Sequence, residues 1–153
     1  MALKRIATAL ALALATLPFR ASAQGAEEIV RAIYADLAVD GLGLWEYTSP
    51  SRRHDYLTPR LAAVFDANDA AEEEPCIDFA PEIDAQDYDG PELVRSLSLA
   101  TATDGDTQTV VAEFTIFGEP RRVVWSFVTQ GDRLYLDDIS GSAGSLAAWT
   151  CAG

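Results

Sequence analysis

The sequence is short of lysine, histidine and cysteine, and each shortage excludes a class of chemistry. Lys4 is the only lysine, His54 is the only histidine, and Cys76 and Cys151 are the only cysteines. Beyond the first few residues there is therefore no amine for a Schiff base or for the attachment of pyridoxal phosphate. A single histidine and two cysteines do not make a zinc site of the usual kind.

The sequence also lacks the short motifs that mark common catalytic and nucleotide-binding sites. It contains no G-x-S-x-G nucleophile elbow, no Walker phosphate loop and no G-x-G-x-x-G dinucleotide fingerprint. Acylation of an S-x-x-K serine is excluded by the same absence of lysine. We therefore predict a protein without a cofactor.

Long apolar runs are absent except at the start of the chain, where one predicts a signal peptide. Lys4 and Arg5 precede an apolar run over residues 6–19, and the small residues Ala21-Ser22-Ala23 follow it. This order of charge, apolar core and small residues is typical of a secretory signal. The run is shorter than the roughly 20 residues that a membrane-spanning helix needs.

We predict cleavage between Ala23 and Gln24. Residues 1–23 then form the signal peptide, and residues 24–153 form one exported domain, periplasmic or extracellular. No later segment is apolar over a comparable length, so we expect no membrane span in the mature chain.

Positive charge is scarce after the predicted cleavage point. Lys4, Arg5 and Arg20 leave with the signal, so 11 − 3 = 8 basic residues remain against 24 acidic ones, a net charge of 8 − 24 = −16. Such a charge repels nucleic acid and anionic lipid and suits a basic protein partner or a metal ion. The simpler interpretation, which we favour, is that the charge keeps the protein soluble.

The two cysteines predict a disulfide. An even cysteine count in an exported chain favours a bond between Cys76 and Cys151. The chain-entropy model gives roughly 4 kcal/mol of stabilisation for a loop of this length. We expect the tail, residues 145–151, to pack against the segment that follows the second helix.

Apolar periodicity predicts two helices followed by four strands. The first helix covers residues 26–39, and the second begins at Thr58 with Pro59 in its first turn. Residues 42–55 and 78–92 are predicted loops, and residues 141–144 a flexible link. Alternating apolar residues and short turns predict strands over residues 95–103, 107–117, 121–129 and 133–139. The fold class is therefore α+β, with the N-terminal helices packed on a curved four-stranded antiparallel sheet.

Three motifs carry a resemblance to a known family. They are Tyr56–Leu61 (YLTPRL), Cys76–Pro81 (CIDFAP) and Ala85–Asp87 (AQD). Over about residues 26–140 the chain resembles exported bacterial proteins of the domain of unknown function 3828 family, in the nuclear-transport-factor-two-like superfamily. The last strand is similar to one that ends many chains of that superfamily, with Leu134 where tryptophan is common. The resemblance implies an exported protein with a cone-shaped fold and no established activity.

The resemblance also implies candidate catalytic residues. Some members of the superfamily enclose an apolar pocket that holds acidic, histidine or tyrosine side chains. The matching candidates here are His54, Tyr56, Asp78 and Asp87, with pocket walls from Trp45, Tyr47, Trp125 and Phe127. The alternative for His54, which we favour, is a solvent-exposed side chain beside Arg52 and Arg53.

The acidic loop contains candidate calcium ligands. Asp84, Asp87 and Asp89 are closely spaced, but they do not fit the calcium-loop pattern, because alanine holds its first ligand position and Ser96 its last. The alternative, which we favour, is that these side chains cap turns. We therefore predict no metal site.

Three functions remain open. The one that we favour is a non-catalytic binding or accessory module of the cell envelope. The others are a cofactor-free isomerase, dehydratase or hydrolase with a pocket for a small apolar ligand, and an acidic inhibitor of a basic secreted protein. A buried titratable group in an apolar pocket favours the enzyme, whereas an apolar patch framed by acidic residues favours the inhibitor.

Overall fold

The computed structural model describes residues 25–71 and 74–151. The predicted signal peptide and its cleavage site between Ala23 and Gln24 lie outside the described residues. Among those residues, none of the helices combines the length and the apolar character needed to cross a membrane.

Five helices are present in the described residues where the sequence predicted two. They are α1 (Ala26–Leu37), α2 (Trp45–Thr48), α3 (Arg53–Tyr56), α4 (Pro59–Ala70) and α5 (Gly90–Ser96). The two predicted helices are α1 and α4, and α4 begins with the predicted proline in its first turn. Both bury apolar residues at helical spacing: Val30, Ile33, Tyr34 and Leu37 in α1, and Leu61, Ala62, Val64 and Phe65 in α4.

Helices α2 and α3 lie largely in a predicted loop. Helix α5 covers the end of the predicted acidic loop and the first two residues of the strand predicted over residues 95–103, which begins at Ser98 instead. Helices α2 and α3 are each a single turn, which is too short for any periodicity to show. Helix α5 starts at the end of the acidic loop, where the side chain of Asp89 accepts a hydrogen bond from the backbone N–H of Glu92 at 2.7 Å. An aspartate followed three residues later by glutamate is a helix-start pattern, and it was missed in a segment rich in acidic residues.

The strands form one antiparallel sheet in chain order. They are β1 (Ser98–Asp104), β2 (Thr107–Ile116), β3 (Glu119–Gln130), β4 (Arg133–Gly141) and β5 (Gly144–Ser145). The α+β class and the antiparallel meander are confirmed. The prediction of four strands was wrong by one, because Gly141 and Gly144 lie opposite each other in a tight turn. That turn pairs β5 with the end of β4, so residues 141–144 are not a flexible link.

The core lies between the helices and one face of the sheet. Its largest fully buried side chain is that of Trp125, which lies opposite Val110 on β2 and opposite Ile139 on β4. The indole N–H of Trp125 donates to the hydroxyl of Tyr34 at 3.3 Å, and that hydroxyl donates to the backbone carbonyl of Glu82 at 2.7 Å. This chain of hydrogen bonds joins the sheet, α1 and the segment that precedes α5.

The disulfide between Cys76 and Cys151 is present, with Cα atoms 5.4 Å apart. The tail packs where the sequence predicted, since the rings of Trp149 and Phe79 lie 5.7 Å apart. Leu146, in a short 3-10 turn, is buried in the core. The disulfide therefore fixes the segment after α4 against the tail.

Candidate functional site

A pocket of about 280 Å³ opens between α2, α4 and the segment that follows Cys76. Its apolar and aromatic side chains include those of Leu42, Leu44, Trp45, Phe65, Ile77 and Phe79. Its polar side chains are those of Thr48, Arg53, Asn68, Asp69 and Glu82. The side-chain oxygen of Asn68 accepts a hydrogen bond from the backbone N–H of Ile77 at 2.8 Å. This hydrogen bond and the neighbouring disulfide hold one wall of the pocket in place.

Glu82 is the buried acid of this pocket, with 8% of its surface exposed. Among the described residues no basic side chain forms an ion pair with it. Burial raises the pKa of Glu82, and hydrogen bonds from its own backbone N–H and from that of Leu44 offset this rise only in part. Glu82 is therefore a desolvated carboxyl group without a counter-charge.

Arg53, in contrast, has its charge balanced. Its side chain is only 1% exposed, and its two terminal nitrogens pair with Asp66, at 3.1 Å, and with Asp69. Its guanidinium lies over the ring of Phe65, 5.7 Å from the centre. The sequence placed Arg53 in an exposed loop, and this was wrong. The carboxylates of Asp66 and Asp69, on the next helix, pair with its two terminal nitrogens, whereas its Nε is buried without a hydrogen-bond partner among the described residues.

The four candidate catalytic residues lie outside the lining of the pocket. The side chain of His54 is 65% exposed, with Nε2 3.3 Å from a carboxylate oxygen of Asp66. The hydroxyl of Tyr56 accepts a hydrogen bond from Arg52 at 2.9 Å. Asp78 and Asp87 are exposed. A catalytic role for any of the four stays a prediction.

The predicted walls divide between the surface and the core. Trp45 is half exposed and lines the pocket, whereas Trp125 and Phe127 are buried in the core. The ring of Tyr47 packs edge-on against that of Tyr56, with centres 5.3 Å apart. The sequence missed Glu82 as a pocket acid, although the apolar residues Ala80-Pro81 and Ile83 around it were a usable signal.

The three candidate calcium ligands each take part in local hydrogen bonds. Asp84 accepts from the backbone N–H and the hydroxyl of Ser142 at 2.9 and 3.0 Å. Asp87 accepts from the backbone N–H of the next residue at 2.8 Å, and Asp89 caps α5. Over residues 25–71 and 74–151, no group of three or more acidic, histidine or cysteine side chains is arranged to hold a metal ion. The absence of a calcium site stays a prediction that titration can test.

Next to the pocket lies a surface that is both apolar and acidic, here called the α1-end surface. It comprises the exposed apolar residues Val39, Leu42 and Trp45 and the acidic residues Asp36, Asp40 and Glu46. Val39 is 75% exposed, Leu42 56% and Trp45 52%. A groove of about 380 Å³ runs along it, between Asp36 and Glu46.

Negative charge converges on the α1-end surface. The C-terminal end of a helix carries partial negative charge, and the last turn of α1 contains no basic residue to offset it. The hydroxyl of Tyr88 donates to the carbonyl of Leu37, the last residue of α1, at 3.1 Å. Burial raises the pKa of the Tyr88 hydroxyl. The nearby carboxylates of Asp40, Glu82, Asp36 and Asp87 raise this pKa further. The negative charges of these carboxylates therefore add to the partial negative charge at the C-terminal end of α1.

The fold and the pocket define a small α+β domain with one acidic, partly apolar face. No protein-family model matches the sequence, and no curated protein matches it. Among solved structures, the chain is similar to a chain of the type VI native effector-immunity complex Tae3-Tai3 from Ralstonia pickettii. The TM-score is 0.51 at 14% identity, over 77% of this chain and 95% of that chain. At this identity the likeness shows the fold alone.

Proposed function

We propose that this protein is a non-catalytic binding module of the bacterial cell envelope that binds and inhibits a basic protein partner. The observation that carries the proposal is the α1-end surface, where exposed Leu42 and Trp45 lie near Asp36 and Asp40. These two acids form no ion pair among the described residues, whereas Glu46 pairs with Arg52. An apolar patch of this kind marks an interaction surface, and its charge selects a basic partner.

The solved neighbour supports the same class of function. The Ralstonia pickettii structure is an effector-immunity complex, in which one protein binds another. The disulfide fits an oxidising compartment, so the exported location predicted from the sequence belongs to this proposal. We extend the proposal to membership of the domain of unknown function 3828 family. The interior of its cone-shaped fold would then be filled by side chains in this protein. The side chains of Tyr34, Trp125 and Phe127 occupy the space between α1 and the sheet.

The test uses the exported full-length chain, purified and mixed with each basic exported protein encoded beside it. We expect one of them to form a stoichiometric complex by size-exclusion chromatography and calorimetry. Its affinity should fall as ionic strength rises from about 0.05 to about 0.5 M, because charges on the two surfaces attract each other.

Leu42→Asp is the diagnostic variant, because it places another acid in the centre of the apolar patch. Val94→Asp, at an exposed apolar residue of α5, is the matched control. We expect at least a tenfold loss of affinity for Leu42→Asp and little change for Val94→Asp. A complex that both variants weaken equally, or no complex with any of the basic proteins, would contradict the proposal.

A second function has one observation in its favour. Glu82 is a buried carboxyl group with a raised pKa in a pocket, and a general acid in a cofactor-free enzyme needs these properties. Turnover of a small apolar ester or ketone that falls at least a hundredfold in Glu82→Gln, with the fold intact, would favour the enzyme. Equal turnover by the unmodified protein and Glu82→Gln, or no turnover by either, would count against the enzyme.

A further inference from the structure

The pocket beside the α1-end surface has an unbalanced negative charge. Its lining contains one basic side chain, Arg53, and two acidic ones, Asp69 and Glu82. Arg53 already pairs with Asp69 and with Asp66, which lies outside the lining. The carboxylate of Glu82 is thus left as the unneutralised charge of the pocket. A positive group that enters would give this buried carboxylate the counter-charge that it lacks.

Aromatic side chains provide the rest of the surroundings that a cation favours. Trp45, half exposed, and Phe79 both line the pocket. Phe79 is held in position by its contact with Trp149 and by the disulfide three residues before it. A cation near the face of an aromatic ring is attracted by the charge distribution of the ring, most strongly by that of tryptophan.

The size of the pocket favours a single side chain as its occupant. Pockets for drug-sized ligands measure roughly 300–1,000 Å³. At about 280 Å³ this pocket lies just below that range. It also opens beside the α1-end surface, because Leu42 lines both this pocket and the groove of that surface. A protein bound on that surface would hold one of its side chains at the mouth of the pocket.

We propose that this pocket binds the side chain of an arginine presented by the protein partner, with the guanidinium paired to the carboxylate of Glu82 and the stem against Trp45. The proposal rests on the proposed function for the identity of the partner. Arginine fits better than lysine, because its planar guanidinium is weakly hydrated, pairs with a carboxylate through two hydrogen bonds and stacks on aromatic rings.

The experiment needs no protein partner, so its failure is distinguishable from failure of the proposed function. The probes are the methylamides of N-acetylarginine, N-acetylcitrulline and N-acetylglutamate, titrated separately into the full-length protein at constant ionic strength. Citrulline has nearly the shape of arginine without its charge. The glutamate compound tests whether the pocket instead binds an anion, attracted by Arg53. Binding is followed by the backbone amide NMR signals of Leu44 and Glu82.

We expect saturable binding of the arginine compound at millimolar concentration, as for other ligands of this size, and at least tenfold weaker binding of the citrulline compound. Glu82→Gln should weaken arginine binding at least fivefold. Trp45→Ala, at a half-exposed position, should also weaken it. Glu113→Gln, an exposed acid of β2 outside the pocket, should leave it unchanged.

Four outcomes would overturn the proposal. They are equal affinity for the arginine and citrulline compounds, tighter binding of the glutamate compound, no saturation by the arginine compound, and equal binding by Trp45→Ala and the unmodified protein. If Glu82→Gln does not fold, Trp45→Ala and the comparison of the probes still decide the matter.

Discussion

The carboxylate of Glu92, in α5, accepts a hydrogen bond at 2.7 Å from the backbone N–H of Phe117, in the turn between β2 and β3. Its other oxygen accepts from the N–H of Gly118 at 2.9 Å. Phe117 has a φ of 50°, in the left-handed region that costs a non-glycine residue about 1–2 kcal/mol. Glu92 thus stabilises a turn that holds an exposed phenylalanine in an unfavourable conformation.

We predict that Glu92→Ala lowers the free energy of unfolding by about 1–2 kcal/mol, because two charge-assisted hydrogen bonds to the turn are lost. Urea titration monitored by circular dichroism measures the effect. Glu119→Ala, at an exposed residue of the same hairpin, is the control and should change stability by less than about 0.5 kcal/mol. Equal losses in the two variants would contradict the role of Glu92.

Glu82→Gln should stabilise the protein near neutral pH and have little effect in acid. The pKa of this buried carboxyl lies above its ordinary value of 4.5. The folded state therefore holds the proton more tightly than the unfolded state, and stability falls as pH rises from about 4.5 through the folded-state pKa. Glutamine does not titrate and avoids this loss.

Thermal unfolding of both proteins between about pH 4 and pH 8 tests the prediction, since these values lie on either side of the ordinary glutamate pKa. The difference in melting temperature should grow with pH in favour of Glu82→Gln. A difference that is the same at every pH would show that Glu82 is not the group responsible.

The disulfide should contribute a large share of the stability. We predict that the double variant Cys76→Ala/Cys151→Ala loses about 2–5 kcal/mol of unfolding free energy, because the unfolded chain is no longer constrained. Denaturant titration of the oxidised protein, the reduced protein and the double variant measures this. The reduced protein and the double variant should agree, and retention of full stability by either would contradict the prediction.

Calcium should not stabilise the protein. The side chains of Asp84 and Asp89 already accept hydrogen bonds from the backbone of Ser142 and Glu92. A ligand that binds the folded state raises the melting temperature by mass action. We therefore expect no rise at millimolar calcium, in the unmodified protein or in Asp87→Ala. A rise of several degrees that disappears in Asp87→Ala would reveal a calcium site.

His54 and Arg53 are neighbours in α3 but should respond very differently to substitution. His54 is largely exposed, so His54→Ala should change stability by less than about 0.5 kcal/mol and leave partner binding intact. Arg53→Ala removes a buried guanidinium and should cost at least about 2 kcal/mol. Thermal and denaturant unfolding of the two variants, measured side by side, checks both expectations. Loss of binding in a folded His54→Ala protein would favour the catalytic alternative.

Periodicity was sufficient to predict the sheet and its two main helices. Val123, Trp125 and Phe127 alternate in the sequence and are all buried in β3, since a strand turns every second side chain to the same face. The same reasoning fails for single-turn helices such as α3, where Arg53 is buried by Asp66 and Asp69 from the following helix. Long-range pairing of this kind has no local pattern.

The candidate site could be predicted only in part. Trp45 was among the pocket walls that the family resemblance implied, but Trp125 and Phe127, from the same set, are buried in the core. Glu82 and Asp87, in contrast, are two acids of one acidic loop, and only the apolar residues Ala80-Pro81 and Ile83 beside Glu82 set it apart in the sequence. In the structure Glu82 is buried and Asp87 is exposed. The backbone carbonyl of Glu82 accepts a hydrogen bond from the hydroxyl of Tyr34 in α1, which holds this part of the loop against the core.

The bond between Cys76 and Cys151 has a consequence for when the protein becomes competent to bind. Ile77 and Phe79, which directly follow Cys76, form a wall of the pocket, and Cys151 comes later in the chain than every residue of that pocket. The wall therefore gains this covalent link only after oxidation. In the reduced chain the hydrogen bond from the backbone N–H of Ile77 to Asn68 remains, but the segment of Phe79 loses its covalent link to the tail, so we expect weaker binding of the arginine compound under reducing conditions.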